Sequence, residues 1–371
     1  MDNYNFKDFN DLKKFINQKK FEKIFLITGK KSYFKSGAEK KISPLLRFKK
    51  IYNYFKFSPY PEIRELKIII DLIKKFNPDL ILAIGGGSVI DYAKIAKLNI
   101  DPKNLKKNII ESYKAKKCFK LAAVPTTAGS GAEVTENAVI YINKKKYSVE
   151  GKEVKPDYHF LIPELIVDSS KTIKSSAGFD AISQAIESLI SNRSNKSSVM
   201  YAKKSLKLSL ANFENFVNKP NYNNSMKMSI AANLSGKAIS ISKTTAPHAL
   251  SYPFTAYFNI PHGHAVSLTL NEFLKFNYDN YKNSVSAFDL KKRFKLIFDL
   301  AKVSNINQMD TFLKKIKSTT GLENNLKKLG ISINRDYSKI LSGVNIQRLK
   351  NNPIDLNHND IKKILLKKNE N

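Results

Sequence analysis

The sequence predicts an α/β domain with a parallel sheet, followed by an all-helical domain. Three observations carry that prediction. Up to about Ser170, short apolar runs alternate with amphipathic stretches. Beyond it strand signals vanish and long amphipathic patterns take over, such as "SVMYAKKSLKLSLANFENFV" and "SMKMSIAANLSGKAISI". The chain of 371 residues also exceeds what one ordinary core accommodates. The expected domains are therefore residues 1–170 and 171–371.

The first domain reads in order. "KIFLITG" (Lys23 to Gly29) is the first strand, and "KSGAEKKISPLL" begins its return helix. "KIYNYFKF" is the second strand, closed by "SPYP". "EIRELKIIIDLIKKF" spaces its apolar residues by three and four, as a helix does. "DLILAIGGG" is the third strand, leading into the helix "SVIDYAKIAK". "KLAAVPTTAGSG" is a fourth strand that runs into a loop of small residues. The stretch from Tyr141 to Asp168 reads as a hairpin and a final strand. The last part of the chain, from about Asn283, is polar and lysine-rich with few motifs.

Composition narrows the function classes. Hydrophobic content of 42%, with 23 Phe and 17 Tyr, suffices for packed cores and excludes a disordered chain. No segment approaches the apolar length of a membrane span, and "MDNYNFKDFNDLKKF" lacks the pattern of a signal peptide. The single cysteine, Cys118, excludes an intrachain disulfide, suits a reducing cytosol and reads as structural. A formal charge of +32 invites a nucleic-acid reading. The lysines are spread along the whole chain beside abundant Asn and Ile, however, and no nucleic-acid motif accompanies them. Such a field does attract small anions.

Two loops carry phosphate-binding chemistry. "AIGGGSVIDYAK" places Gly85 to Gly87 between a strand and a helix. There the backbone can approach a pyrophosphate, and the helix N-terminus offers free N–H groups. A tight strand-to-helix turn would also explain the three glycines. "VPTTAGSGAEVT" then supplies the hydroxyls of Thr126, Thr127 and Ser130 after a second strand end. Two such loops at the C-terminal edge of a parallel sheet form a crevice suited to a dinucleotide. The first strand ends "LITGKKS", where Gly29 leaves room and Lys30, Lys31 and Ser32 can meet a 2′-phosphate. That favours NADPH over NADH.

Metal-ligand candidates lie further on. "GFDAISQAIES" puts Asp180, Gln184 and Glu187 on one helix face. His248 and His262 follow in "APHALSYP" and "IPHGHAV". One carboxylate and two imidazoles form a ligand set for Zn²⁺ or Fe²⁺ with room for a substrate oxygen. Spacing alone equally allows Asp180 as a helix N-cap and the histidines as core or surface groups.

Together, "AIGGGSVIDYAK", "VPTTAGSGAEVT", "GFDAISQAIES" and "FNIPHGHAV" resemble the iron-containing (group III) alcohol dehydrogenases, from about residue 20 to 280. The resemblance implies a Rossmann-like N-terminal domain and an α-helical C-terminal domain, a fold shared with dehydroquinate synthases, with cofactor and metal in the cleft between. It implies metal ligands at Asp180, His248 and His262, with Gln184, standing where the family has a further histidine, assisting as a weaker amide-oxygen ligand. Tyr252 likewise replaces a histidine common four residues after the first of the pair. Gly86, Gly87 and Ser88 match the pyrophosphate loop, and Asp91 matches the acidic residue on its helix. Thr126, Thr127 and Ser130 match the adenine and phosphate side, while Asn137 and Lys146 match positions near the ribose and nicotinamide. Tyr60 and Pro61 replace the usual Asn-Pro pair of the second-strand loop.

Within the family, "GFDAISQAIES", "TTAPHALSYPFT" and "NNPIDL" look most like the phosphonoacetaldehyde reductases. The implied reaction reduces phosphonoacetaldehyde to 2-hydroxyethylphosphonate. A metal polarises the aldehyde oxygen, NADPH or NADH delivers hydride, and His264, Tyr252, water or a ribose hydroxyl relays the proton. A phosphonate calls for a nearby cation, with Lys243 as one candidate. The expected partners are a small anionic aldehyde and a second copy of the chain in a homodimer, with no nucleic acid and no membrane. Three alternatives stay open: another aldehyde or a sugar-acid alcohol as substrate, a dehydroquinate-synthase-like cyclase, and a non-enzymatic basic binding protein.

Overall fold

The computed structural model describes residues 6–18, 20–111, 118–344 and 346–370. Its residue contacts divide into two units, Met1–Ser169 with Asn221–Asn233, and Ser170–Pro220 with Leu234–Asn371.

The first unit begins with α1 (Phe9–Ile16), β1 (Lys23–Gly29), α2 (Lys30–Lys35), α3 (Ala38–Ile42) and β2 (Lys50–Lys56). It continues with α4 (Ile63–Phe76), β3 (Leu80–Gly85), α5 (Gly87–Ala96), α6 (Leu105–Ile110) and β4 (Leu121–Pro125). A hairpin of β5 (Asn137–Ile142) and β6 (Lys145–Glu150), then β7 (Tyr158–His159) and α7 (Glu164–Val167), complete it. Five strands form a parallel sheet in the order β2-β1-β3-β4-β7. Strand alternation divides the core. Phe25, Ile27, Ile81 and Ala83 face one layer with Leu66, Ile69, Ile70 and Ile73 of α4. Ile24, Leu26, Leu82 and Ile84 face the other, with Leu12, Phe15 and Ile16 of α1. With helices on both faces, the central strands are apolar throughout, which is why they read as continuous runs.

Two expectations are corrected here. The return helix "KSGAEKKISPLL" is not continuous: Gly37 adopts φ 72°, so α2 and α3 are separate and a 3-10 turn follows at Ser43–Leu46. The final strand shrinks to the two residues of β7.

The order β2-β1-β3 means that the chain leaves β1 on one side and returns on the other. The switch point therefore lies between the C-terminal ends of β1 and β3, at Gly29 and Gly85.

The helix α10 (Tyr222–Ser242) contributes its first half to the first unit, where Asn233 Nδ2 donates to the buried Glu133 carboxylate at 2.9 Å. The described residues of the second unit form only helices: α8 (Lys171–Ile190), α9 (Lys196–Asn218), the rest of α10, α11 (Ala246–Phe258), α12 (His262–Asp279), α13 (Leu290–Ala301), α14 (Ile306–Thr320), α15 (Ile333–Ser342), α16 (Ile346–Leu349) and α17 (His358–Glu370), with one 3-10 turn at Tyr281–Asn283. α8 is buried almost all round from Lys174 onward, although its sequence is rich in serine and carries Asp180, Gln184 and Glu187. Polar groups so deeply buried require partners, and those partners build the site. Among the described residues no helix is long and apolar enough to cross a membrane.

Candidate functional site

Asp180 sits in the middle of α8, whose N-cap is Ser170. The capping role that spacing allowed is therefore excluded. The ligand atoms of Asp180, His248 and His262 all lie within 4.8 Å of one another. His248 stands one turn into α11 and presents Nε2 to Asp180 Oδ1 at 3.2 Å. Its Nδ1 bonds the Glu187 carboxylate two turns further along α8. Glu187 is fully buried and is itself held by the backbone N–H and hydroxyl of Thr245, both at 2.9 Å. A carboxylate on one ring nitrogen fixes the tautomer and leaves the other nitrogen to ligate.

His262 is the first residue of α12, and Ser251 Oγ lies 3.4 Å from its Nδ1. The next residue explains how α12 comes so close to α8. A Cβ on Gly263 would stand 1.9 Å from the Ser176 carbonyl and 2.8 Å from Asp180 Cβ. Only glycine permits that crossing. Gln184 buttresses Asp180: its amide nitrogen donates to Asp180 Oδ2 at 3.2 Å, and its carbonyl oxygen accepts from Ser235 at 2.9 Å.

The electrostatics favour positive charge at the centre. Burial tends to lower the His248 pKa, yet the charge of Glu187 and the hydrogen bonds of Asp180 and Glu187 push it up to about 9. Burial tends to raise Asp180, but the His248 hydrogen bond and the fields of both histidines hold it below the usual carboxylate range. One carboxylate and two imidazoles, converging with Asp180 and His248 buried and His262 half-buried, fit a borderline divalent cation such as Zn²⁺ or Fe²⁺.

The two proton-relay candidates are separated by helix geometry. Two residues apart at the start of α12, His262 and His264 point to opposite sides. The His264 ring bonds the Glu323 carbonyl at 2.7 Å through Nε2, and burial lowers its pKa. Tyr252, one turn beyond His248, stacks on the His262 ring at 5.6 Å with planes 9° apart. Burial pushes its phenol up to about 12, against the charge and hydrogen bond of Arg348. Arg348 was missed in the sequence, where the scarcity of arginine narrows the choice to six and only the fold singles one out. The chain holds only six arginines among 64 basic residues, and Arg348 is the one that is buried. Lys243 is buried too, at the turn into α11 with φ 60°.

In the first unit the predicted loops meet. Thr126 N donates to Gly85 O at 3.0 Å. A Cβ on Gly86 would touch Thr127 Cγ2 at 3.4 Å, and one on Gly87 would crowd Ser130 Oγ at 2.8 Å. Gly87 and Ser88 open α5 directly after β3. On the same helix, Asp91 accepts from Val139 N at 3.1 Å. Burial pushes its pKa up to about 6, opposed by the charges of Lys94 and Lys146. Lys94 is buried and donates to Ala132 O, Thr135 Oγ1 and Asn137 O at 2.6–2.9 Å, so it fixes the return from the second loop into β5. Lys146 lies opposite Tyr141 in the hairpin. Gly29 ends β1, with Lys30 and Lys31 exposed beyond it and Ser32 Oγ donating to Gly29 O at 3.3 Å. Tyr60 packs on Tyr141 at 4.7 Å. Cys118 is half-buried, and burial raises its pKa, so it is a poor nucleophile.

Residues 4–163 match the sequence profile described as "Iron-containing alcohol dehydrogenase", and residues 174–369 match "Fe-containing alcohol dehydrogenase family, C-terminal". Phosphonoacetaldehyde reductase of Streptomyces viridochromogenes is 30% identical over 217 residues, which cover 56% of this chain and 55% of that protein. 4-Hydroxybutyrate dehydrogenase of Clostridium kluyveri is 33% identical over 217 residues, covering 57% of each. The match thus spans just over half the length of these relatives. Sulfoacetaldehyde reductase from Bifidobacterium kashiwanohense, solved in complex with NAD+, superposes with a TM-score of 0.85 at 24% identity, covering 97% of this chain and 94% of that one. An alcohol dehydrogenase from Oenococcus oeni gives 0.85 at 22% identity, with 98% and 99% covered. Both share the fold.

Proposed function

Because the chain belongs to the iron-containing alcohol dehydrogenase family, we propose that it is a metal- and nicotinamide-dependent reductase of short anionic aldehydes, with phosphonoacetaldehyde as the first substrate to try. The observation that carries this reading is the convergence of Asp180, His248 and His262.

Asp180, His248 and His262 hold the metal, and the loops at Gly86, Gly87, Ser88, Thr126, Thr127 and Ser130 hold the nucleotide. When bound, the metal supplies Lewis-acid polarisation of a carbonyl oxygen, and the reduced nicotinamide supplies hydride. The chain's own groups do the rest. Glu187 keeps a proton on His248 Nδ1, so Nε2 stays free to ligate. Gln184 steers the Asp180 carboxylate through its amide nitrogen. Tyr252 presents a protonated phenol beside His262, and that phenol relays the proton the product alcohol needs. His264, tied to Glu323, fixes the start of α12 instead of relaying protons. Lys30 and Lys31 at the end of β1 favour NADPH through its 2′-phosphate.

Support for an anionic substrate comes from the net charge of +32. The two relatives, named for phosphonoacetaldehyde and 4-hydroxybutyrate, each act on a short chain ending in an acid group. The test is NADPH oxidation with phosphonoacetaldehyde, succinic semialdehyde and propionaldehyde, with and without added Fe²⁺ or Zn²⁺. Metal-dependent oxidation fastest with an acidic aldehyde is the expected result. No oxidation with any of the three would remove the reductase reading and move weight to a cyclase.

A further inference from the structure

We propose that Arg348 is the residue that takes the substrate's acid group, so that charge selection is built into the metal-binding unit itself. The inference rests on the reductase reading above and adds to it the residue that chooses among aldehydes.

Three observations lead there. First, 58 of the 64 basic residues are lysine, so an arginine departs from the compositional trend, and Arg348 is the arginine this fold buries. A guanidinium differs from an ammonium in offering a planar fork of donors that matches the oxygens of a carboxylate, sulfonate or phosphonate two at a time. Second, its side chain hydrogen-bonds the phenol of Tyr252, and the Tyr252 ring lies flat on His262. The cation is therefore one hydrogen bond and one ring stack away from the metal-ligand cluster.

Third, the backbone behind Arg348 is pinned. Asn351 N bonds Arg348 O at 3.1 Å, and Asn351 Nδ2 donates to Thr244 O at 3.1 Å, just before α11. Asn192 clamps the same segment through Asn351 O at 2.9 Å and Asn352 O at 2.7 Å. Asn352 Nδ2 donates to Asn277 Oδ1 at 2.8 Å on α12. The segment "RLKNNPI" is thereby tied to the two helices that carry His248 and His262, and binding geometry held this firmly does not need to be assembled by the ligand.

The experiment uses the metal- and NADPH-loaded enzyme and separates binding from turnover. Calorimetric titration with ethylphosphonate, which has no carbonyl to reduce, measures the anion site alone. Wild type should bind it. Arg348→Gln should weaken that binding about 30-fold or more, the loss expected for a charge-assisted pair of hydrogen bonds. Arg348→Lys should fall between the two, and should retain fold and melting temperature if Arg348→Gln does not. In parallel, kcat/KM for phosphonoacetaldehyde relative to propionaldehyde should drop by a similar factor, mostly through KM. Equal losses for both aldehydes, unchanged ethylphosphonate affinity in Arg348→Gln, or no binding by wild type would each overturn the assignment. Failure of wild type to reduce any aldehyde while ethylphosphonate binding still depends on Arg348 would strike the reductase reading and leave the anion site standing.

Discussion

The loops proposed for the nucleotide and the cluster proposed for the metal solve opposite problems. The loop at Gly85–Gly87 works by leaving side chains out, so that the hydroxyl-bearing side chains of Thr127 and Ser130 can come up against its backbone, which is where the proposed reading seats a phosphate. The cluster works by adding side chains to a buried helix and then restraining each with a partner: Glu187 for His248, Gln184 for Asp180 and Ser251 for His262. Glycine serves both, but differently. Gly87 makes room for a neighbouring hydroxyl, which can move, whereas Gly263 makes room for the backbone of α8, which cannot. The metal region should therefore tolerate substitution far less than the loops.

The predictions sharpen that contrast in order of size. Asp180→Ala removes the only carboxylate of the ligand set and should cost about a thousandfold in metal-dependent turnover. Turnover within tenfold of wild type would place the metal elsewhere. Gly263→Ala comes next. Its Cβ would meet the Ser176 carbonyl, so α12 must shift, with a loss of about 3 kcal/mol in urea unfolding and impaired metal retention. Glu187→Gln keeps the shape but weakens the hold on His248 Nδ1, and metal affinity should fall about 10- to 100-fold by competition with a chelator. Gly87→Ala should weaken NADPH binding by only about tenfold, with part of the loss restored by Ser130→Ala. If Gly87→Ala proves as damaging as Gly263→Ala, the distinction between yielding and unyielding neighbours fails.

The same contrast governs what could be read in the sequence. β1, β3 and β4 were legible because strands buried on both faces are unbroken apolar runs, and the loops because their residues are contiguous. The break at Gly37 was less so, since a glycine within a helical pattern does not announce a positive φ. α13, α14 and α15 each bury one apolar face, yet they lie in a polar, lysine-rich region without chemical motifs, and no individual helix was resolved there from the sequence. For the cluster, helical spacing put Asp180, Gln184 and Glu187 on one face, and the family resemblance paired them with His248 and His262. Neither could tell a ligand from a buttress. That distinction depends on contacts such as Glu187 to His248, which are 61 residues apart in the chain. Arg348 is harder still, because its link to Tyr252 exists only once α11 and α16 have packed.

The most direct test of the central claim counts metal. Wild type and His262→Ala would be stripped, reconstituted with Fe²⁺ or Zn²⁺, dialysed against buffer and analysed for bound ion, with circular dichroism confirming that both are folded. The structure predicts about one ion per chain for wild type and almost none for His262→Ala, since two remaining protein ligands rarely retain a divalent cation. A folded His262→Ala that keeps its full complement would contradict the site.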